Sequence, residues 1–161
     1  MKRNLALVGV FACMIFLFHQ TMFAQQYAVG GRLGLSIYSI GGSSSGLQFG
    51  PTVDVDLSNG LLGGSDFNIN TQEGTPVEWA FYVKHLINVS RSDVTPYVDG
   101  GFSLWFATGG PYFGLRIGGG AYFPLAKNVS IPADIQLGPV FTSGSTTFYF
   151  ALTSGIRYTL P

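Results

Sequence analysis

From Tyr27 almost to its last residue, the chain alternates apolar and polar side chains with a period of two. In the first segment Val29, Gly31, Leu33, Leu35 and Ile37 share one face, and Ala28, Gly30, Arg32, Gly34, Ser36 and Tyr38 share the other. Successive side chains of a strand point to opposite sides, so the pattern describes a sheet with one apolar and one polar surface. It recurs in about eight segments. The apolar faces carry Leu47 to Leu57, Phe67 and Ile69, Val77 to Val83, Val98 to Phe106, Phe113 to Phe123, Val129 to Leu137 and Phe148 to Tyr158. Most segments reach the roughly 9–11 residues with which a tilted strand crosses a bilayer.

Turn signals separate the segments: the Gly41–Gly46 run, Ser58-Asn59-Gly60, Thr71 to Pro76, Asn88 to Asp93, Thr108 to Pro111, Ala126-Lys127-Asn128 and Ser143-Gly144-Ser145. All are short, no helical periodicity interrupts them, and no linker divides the chain. The expected fold is all-β: an eight-stranded antiparallel up-and-down β-barrel over residues 25–161.

Residues 1–24 read as a cleaved signal peptide. Lys2 and Arg3 supply the charged start, Leu5 to Phe18 the apolar stretch, and Met22-Phe23-Ala24 a small-residue cleavage point. His19-Gln20 cuts the apolar run too short for a membrane helix. Cys13 is the only cysteine and lies inside this segment, so the mature chain has no disulfide and no thiolate metal site. Without Lys2 and Arg3 the chain keeps six basic residues against eight acidic ones, a net charge of about −2 that gives nucleic acid no purchase. Charged residues make up 10% of the chain, against roughly 25% in soluble domains, which leaves a very dry soluble core or a lipid-facing barrel.

Volume decides between the faces. An eight-stranded barrel encloses only enough room for side chains or one small ligand. The bulky Phe, Leu, Ile and Val residues crowd the apolar face, whereas Gly30, Gly34, Gly50, Gly114, Gly118, Gly120, Gly138 and Gly155 sit on the polar one. The polar face therefore belongs inside and the apolar face against lipid. Arg32, Asp54, Asp56, Asp66, Glu78, Lys84, Asp99, Arg116, Asp134 and Arg157 all share the inner face, where buried charges must pair. They are expected to form a structural salt-bridge network, with Asp54 and Asp56 as partners of Arg32 on the neighbouring strand. On the apolar face Phe49, Trp79, Phe106, Phe113, Phe141 and Phe148 lie toward alternate connections and are expected to form an aromatic girdle at the lipid interface. Tyr27, Phe123 and Tyr158 are candidates for a second girdle at the other end.

The segments Thr95-Pro96-Tyr97-Val98-Asp99-Gly100-Gly101 and Gly118 to Ser130, with the last strand Phe148 to Tyr158, resemble the small outer-membrane β-barrel family of OmpA-like and OmpX-like proteins. The resemblance covers essentially all of residues 26–161. It implies an eight-stranded transmembrane barrel in the outer membrane with both termini periplasmic, surrounded by outer-membrane lipid and inserted by the barrel-assembly machinery. The chain departs from the family at its end: Tyr158-Thr159-Leu160-Pro161 displaces the terminal aromatic that this machinery reads.

Little in the chain points to chemistry. His85 is the one histidine of the mature part, in phase with the apolar face, with Ser90 and Asp93 near it only in sequence. One histidine without cysteine leaves no zinc site, and no helix follows Gly63-Gly64 or Gly118-Gly119-Gly120 to build a phosphate loop. The expectation is a monomeric, non-enzymatic outer-membrane protein with a structural or surface-interaction role, without cofactor, metal or nucleic-acid partner. A narrow pore for ions or small solutes and a soluble secreted lipocalin-like barrel are the alternatives.

Overall fold

The computed structural model describes residues 26–38, 44–72, 74–107 and 109–161. The expected signal segment 1–24 lies outside the described residues. Alternation becomes strand throughout: β1 (Tyr27–Tyr38), β2 (Ser44–Ser58), β3 (Leu61–Asn70), β4 (Val77–Leu86), β5 (Thr95–Ala107), β6 (Gly110–Ala126), β7 (Val129–Thr142) and β8 (Ser145–Thr159). Each strand pairs antiparallel with the next, and β1 pairs with β8 to close an eight-stranded barrel. Closure removes the free sheet edges that an open meander would expose.

Most strands run beyond the alternating cores visible in the sequence, because tight turns let pairing continue to the loop. At the β2–β3 connection Ser58 pairs with Leu61, leaving Asn59 and Gly60 as a two-residue turn with φ of 54° and 76°. Positive φ at both central positions matches the right-handed twist of a hairpin, and Asn-Gly is the pair that adopts it most readily. Asp56 adds a brace, its Oδ1 accepting from Ser58 N at 2.7 Å. This end of the barrel, which also carries Tyr27 and Thr159, is its lower end. The β5–β6 and β7–β8 turns, with Gly109 and Gly144 at positive φ, mark the upper end.

The barrel has its core in the lumen. Leu33, Ile117, Ile156 and Phe148 stand on the outside with 58–66% of their surface exposed. Arg32, Asp66, Glu78, Arg116 and Trp105 are buried within. Glycine makes this inversion possible. A Cβ on Gly50 would collide with the Phe67 carbonyl oxygen, and one on Gly138 with that of Leu115, so these strands approach more closely than any other residue would allow.

Candidate functional site

The candidate site is the lumen, which side chains from the strands fill in three layers. Near the lower end, Asp54 collects two bases: Lys84 Nζ lies 3.3 Å from Oδ1 and Arg157 Nε 3.0 Å from Oδ2. The Tyr122 hydroxyl donates to Asp54 Oδ2 at 3.2 Å and accepts from Lys84 Nζ at 2.9 Å. Lys84 also faces the rings of Tyr82, Tyr97 and Tyr122 at 4.7–5.4 Å, so its ammonium is held by π-faces as well as by charge.

The middle layer is built on Asp66. Its Oδ2 receives Arg32 Nη1 at 2.9 Å and Arg116 Nη1 at 3.1 Å, and its Oδ1 accepts from the Tyr82 hydroxyl at 2.8 Å. Asp134 stands 3.6 Å from Arg32 Nη2, and Asp99 stands 3.7 Å from Arg116 Nε. Gln136 joins the two arginines: with its amide oxygen assigned toward them, it accepts from Arg116 Nη2 at 2.7 Å and Arg32 Nη1 at 2.5 Å. The Tyr82 hydroxyl also lies 3.1 Å from Asp54 Oδ1, which ties this layer to the one below.

The upper layer is of a different kind. Asn68 Nδ2 donates to Glu78 Oε2 at 2.9 Å, Ser36 donates to Asn70 Oδ1 at 2.9 Å, and Gln72 Nε2 reaches the Ser36 carbonyl at 2.7 Å. Above them Tyr38, Trp105, Val140 and Tyr149 close the lumen as one apolar cluster, with Trp105 ring-to-ring at 5.3 Å from Tyr38 and 5.2 Å from Tyr149. At the lower mouth a cleft of about 230 Å³ lies open, and its lining stops at Leu62, Tyr122 and Arg157.

The structure brings together Arg32, Asp54, Asp66, Lys84, Asp99, Arg116, Asp134 and Arg157, though not in the pairs expected. Arg32 reaches Asp66 and Asp134 rather than Asp54 and Asp56. In the β1–β2 register Asp54 sits opposite Ala28, four residues below Arg32, and long side chains aimed at the barrel axis pass over the neighbouring strand. Asp56 stays out of the network. It lies half-buried at the lower rim, where its carboxylate braces the Asn59-Gly60 turn. An Asp two residues ahead of Ser-Asn-Gly is itself a turn signal, and it outweighs the parity of the strand here. Glu78 faces the lumen but forms no ion pair among the described residues.

Phe49, Trp79, Phe106, Phe113, Phe141 and Phe148 are all exposed on the outer face. Trp79, Phe113 and Phe141 belong to a continuous stack, Trp79–Phe81–Phe102–Phe113–Phe141, with centroid spacings of 4.9–6.3 Å. Phe49, Phe106 and Phe148 take no part in it. The stack starts at Trp79 near the upper end of β4, dips through Phe81 and Phe102 at mid-strand, and returns to Phe113 and Phe141 near the upper ends of β6 and β7. Trp79 Nε1 donates to Ser65 Oγ at 3.0 Å, satisfying its one polar group on the apolar face. Of the second candidate girdle, Phe123 and Tyr158 are exposed and Tyr27 is half-buried. His85 lies on the outer face, opposite Leu61 and Val98.

Sequence reasoning did not single out Tyr82, Tyr122, Gln136 or the Trp105 cluster. Their lumen-facing parity was the available signal, since each alternates in phase with the charged residues.

No protein-family model matches the sequence, and no curated protein matches it. Solved structures do. The neisserial surface protein A is similar over 84% of this chain and 97% of its own, with a TM-score of 0.65 at 16% identity. The N-terminal β-barrel domain of Pseudomonas aeruginosa OprF is similar over 83% and 97%, with a TM-score of 0.60 at 11% identity. A major outer membrane protein from Thermus thermophilus is similar over 85% and 100%, with a TM-score of 0.54 at 16% identity. At such identities the likeness is one of fold, and the fold is that of small transmembrane β-barrels.

Proposed function

We propose that this chain is an integral outer-membrane protein whose role is structural or at the cell surface, and that its lumen neither catalyses nor conducts. The observation that carries this reading is the inversion of the barrel: an apolar outer wall around a lumen packed shut by Trp105, Tyr38 and Tyr149 above and by ion pairs below. An apolar wall suits lipid, and a filled interior leaves no continuous water column for ions. The Thermus thermophilus structure, named a major outer membrane protein, supports the outer membrane as its place, and the neisserial one is itself named a surface protein. On this reading the segment 1–24 directs export, outer-membrane lipid and the barrel-assembly machinery are its partners, and the barrel works as a monomer.

Two measurements on the refolded mature protein test this. In planar bilayers the wild type is expected to show no unitary conductance, whereas Trp105→Ala, which opens the upper plug, is expected to show brief openings. Wild-type channels of steady amplitude would move the assignment to the pore. In fractionation the protein should sediment with outer membranes and migrate faster unheated than boiled. A soluble protein without that shift would move it to the secreted barrel.

A further inference from the structure

The lumen charges of the lower and middle layers balance only when taken together, and the upper layer adds one acid more. Below, Asp54 faces two bases, Lys84 and Arg157. In the middle, Asp66, Asp99 and Asp134 share two, Arg32 and Arg116. The surplus base below offsets the surplus acid above it, and the charge of Lys84 reaches both Asp66 and Asp134. Glu78 is left over. It is 0% exposed, no base among the described residues lies in ion-pair range, Oε2 accepts one bond from Asn68, and Oε1 has no partner. The charges that reach it belong to Arg116, Asp66 and Arg32, and both arginines are already committed to carboxylates.

The upper lumen holds further polar atoms without partners. Asn68 Oδ1, the amide oxygen and nitrogen of Gln48 and the hydroxyls of Tyr38 and Tyr149 are buried without hydrogen-bond partners. The registers and ring contacts connect them along the upper lumen. Glu78 pairs with Asn68 on β3 and with Trp105 on β5, and Gln48 pairs with Asn70. Tyr38 pairs with Tyr149, and both rings pack on Trp105. A buried, unpaired carboxylate is too costly to stand alone, and buried oxygens without donors add to that cost.

We propose that the upper lumen is a binding site for one monovalent cation, with Glu78 Oε1 supplying the charge and the Asn68 and Gln48 amide oxygens and the Tyr38 and Tyr149 hydroxyls completing the ligands. Neutral and carboxylate oxygens are the donors that hard cations take. A single carboxylate neutralises a single charge. A divalent ion would leave a new excess, since among the described residues no second acid stands beside Glu78. Because Tyr38 and Tyr149 also pack on Trp105, the site is a closed one, filled as the barrel folds. The inference goes beyond the proposed function and holds for a lumen in detergent as much as in lipid.

The test uses the mature protein refolded in micelles in potassium chloride or in tetramethylammonium chloride at equal ionic strength, because the second cation is too large for the site. The wild type is expected to unfold at a higher temperature in potassium, and Glu78→Gln is expected to lose that difference. Crystals of wild type refolded in thallium(I) acetate should show an anomalous peak beside Glu78, a readout that needs no variant to fold. No peak at Glu78, or a peak only elsewhere, overturns the proposal. So does equal stability of the wild type in the two salts. An infrared carbonyl band of a neutral carboxyl that Glu78→Gln removes also overturns it, by assigning the missing positive charge to a proton.

Discussion

Arg116 and Ile117 are adjacent in β6 and live in opposite surroundings: the first is 1% exposed in the lumen, the second 60% exposed on the outer wall. In a soluble domain the larger apolar side chain would face the core and the charge would face water. Here the charges of the strands face inside and most aliphatic side chains outside. The difference teaches where the two solvents are. The lumen is a small polar interior that must satisfy itself, and the outer wall meets a medium that needs no hydrogen bonds from it. Each face then makes a different demand on substitution, and the two demands can be measured separately.

The largest effect is expected inside. Asp66→Asn removes the one carboxylate that both buried arginines touch closely, leaving Arg32 to Asp134 at 3.6 Å and Arg116 to Asp99 at 3.7 Å. Breaking a buried pair by removing one partner costs about 3–5 kcal/mol, because a buried charge is left uncompensated. A urea titration of the refolded barrel, followed by the gel shift between folded and unfolded forms, should place the variant's midpoint far below the wild type. A cost under about 1 kcal/mol would mean that water reaches these arginines, and the contrast between the faces would fail.

Outside, the corresponding change is Ile117→Arg. Ile117 sits midway along β6, opposite Gly100 and Leu137, and presents its side chain away from the lumen. An arginine at the bilayer midplane costs about 2–4 kcal/mol. The same substitution on a water-facing wall falls within about 0.5 kcal/mol of neutral. Measured in lipid vesicles by the same titration, this variant identifies the medium against the wall. It uses a residue that takes part in none of the lumen pairs.

How far the sequence carried this picture depends on what had to be known. The eight strands, their order and their faces follow from a period of two and from turn residues, both local properties. Which face points inward also follows, because glycine and bulk segregate by parity. The partners inside the lumen do not. Arg32 meets Asp66 across β2 because of the stagger between strands and the narrowness of the barrel, and neither is written locally in the chain. Asp56 fell out of the network for a local reason, since a turn brace competed with strand parity. The aromatic stack dips to mid-strand because register sets Phe81 opposite Phe102, which single strands do not display. Trp105 finds its ring partners, Tyr38 and Tyr149, on strands far away in the chain, which no local pattern displays.

The smallest effect sharpens the comparison from within the lumen. Arg157 and Asp54 form an ion pair of 3.0 Å, between the 2.9 Å and 3.1 Å of the two arginines on Asp66, yet the Arg157 side chain is 16% exposed at the lower mouth. Removing it by Arg157→Gln leaves Asp54 with Lys84 at 3.3 Å and with the Tyr122 hydroxyl at 3.2 Å, so no carboxylate is stranded. The expected cost is therefore about 1 kcal/mol or less, in the range of solvent-exposed pairs. It should shrink further between low and high salt, because ions screen a pair they can approach. The Asp66→Asn cost should hardly change with salt. Geometry alone would rank the two substitutions as equals. If they are measured as equals, distance rather than burial governs this lumen. If they separate by threefold or more and only the smaller responds to salt, burial sets the worth of each pair.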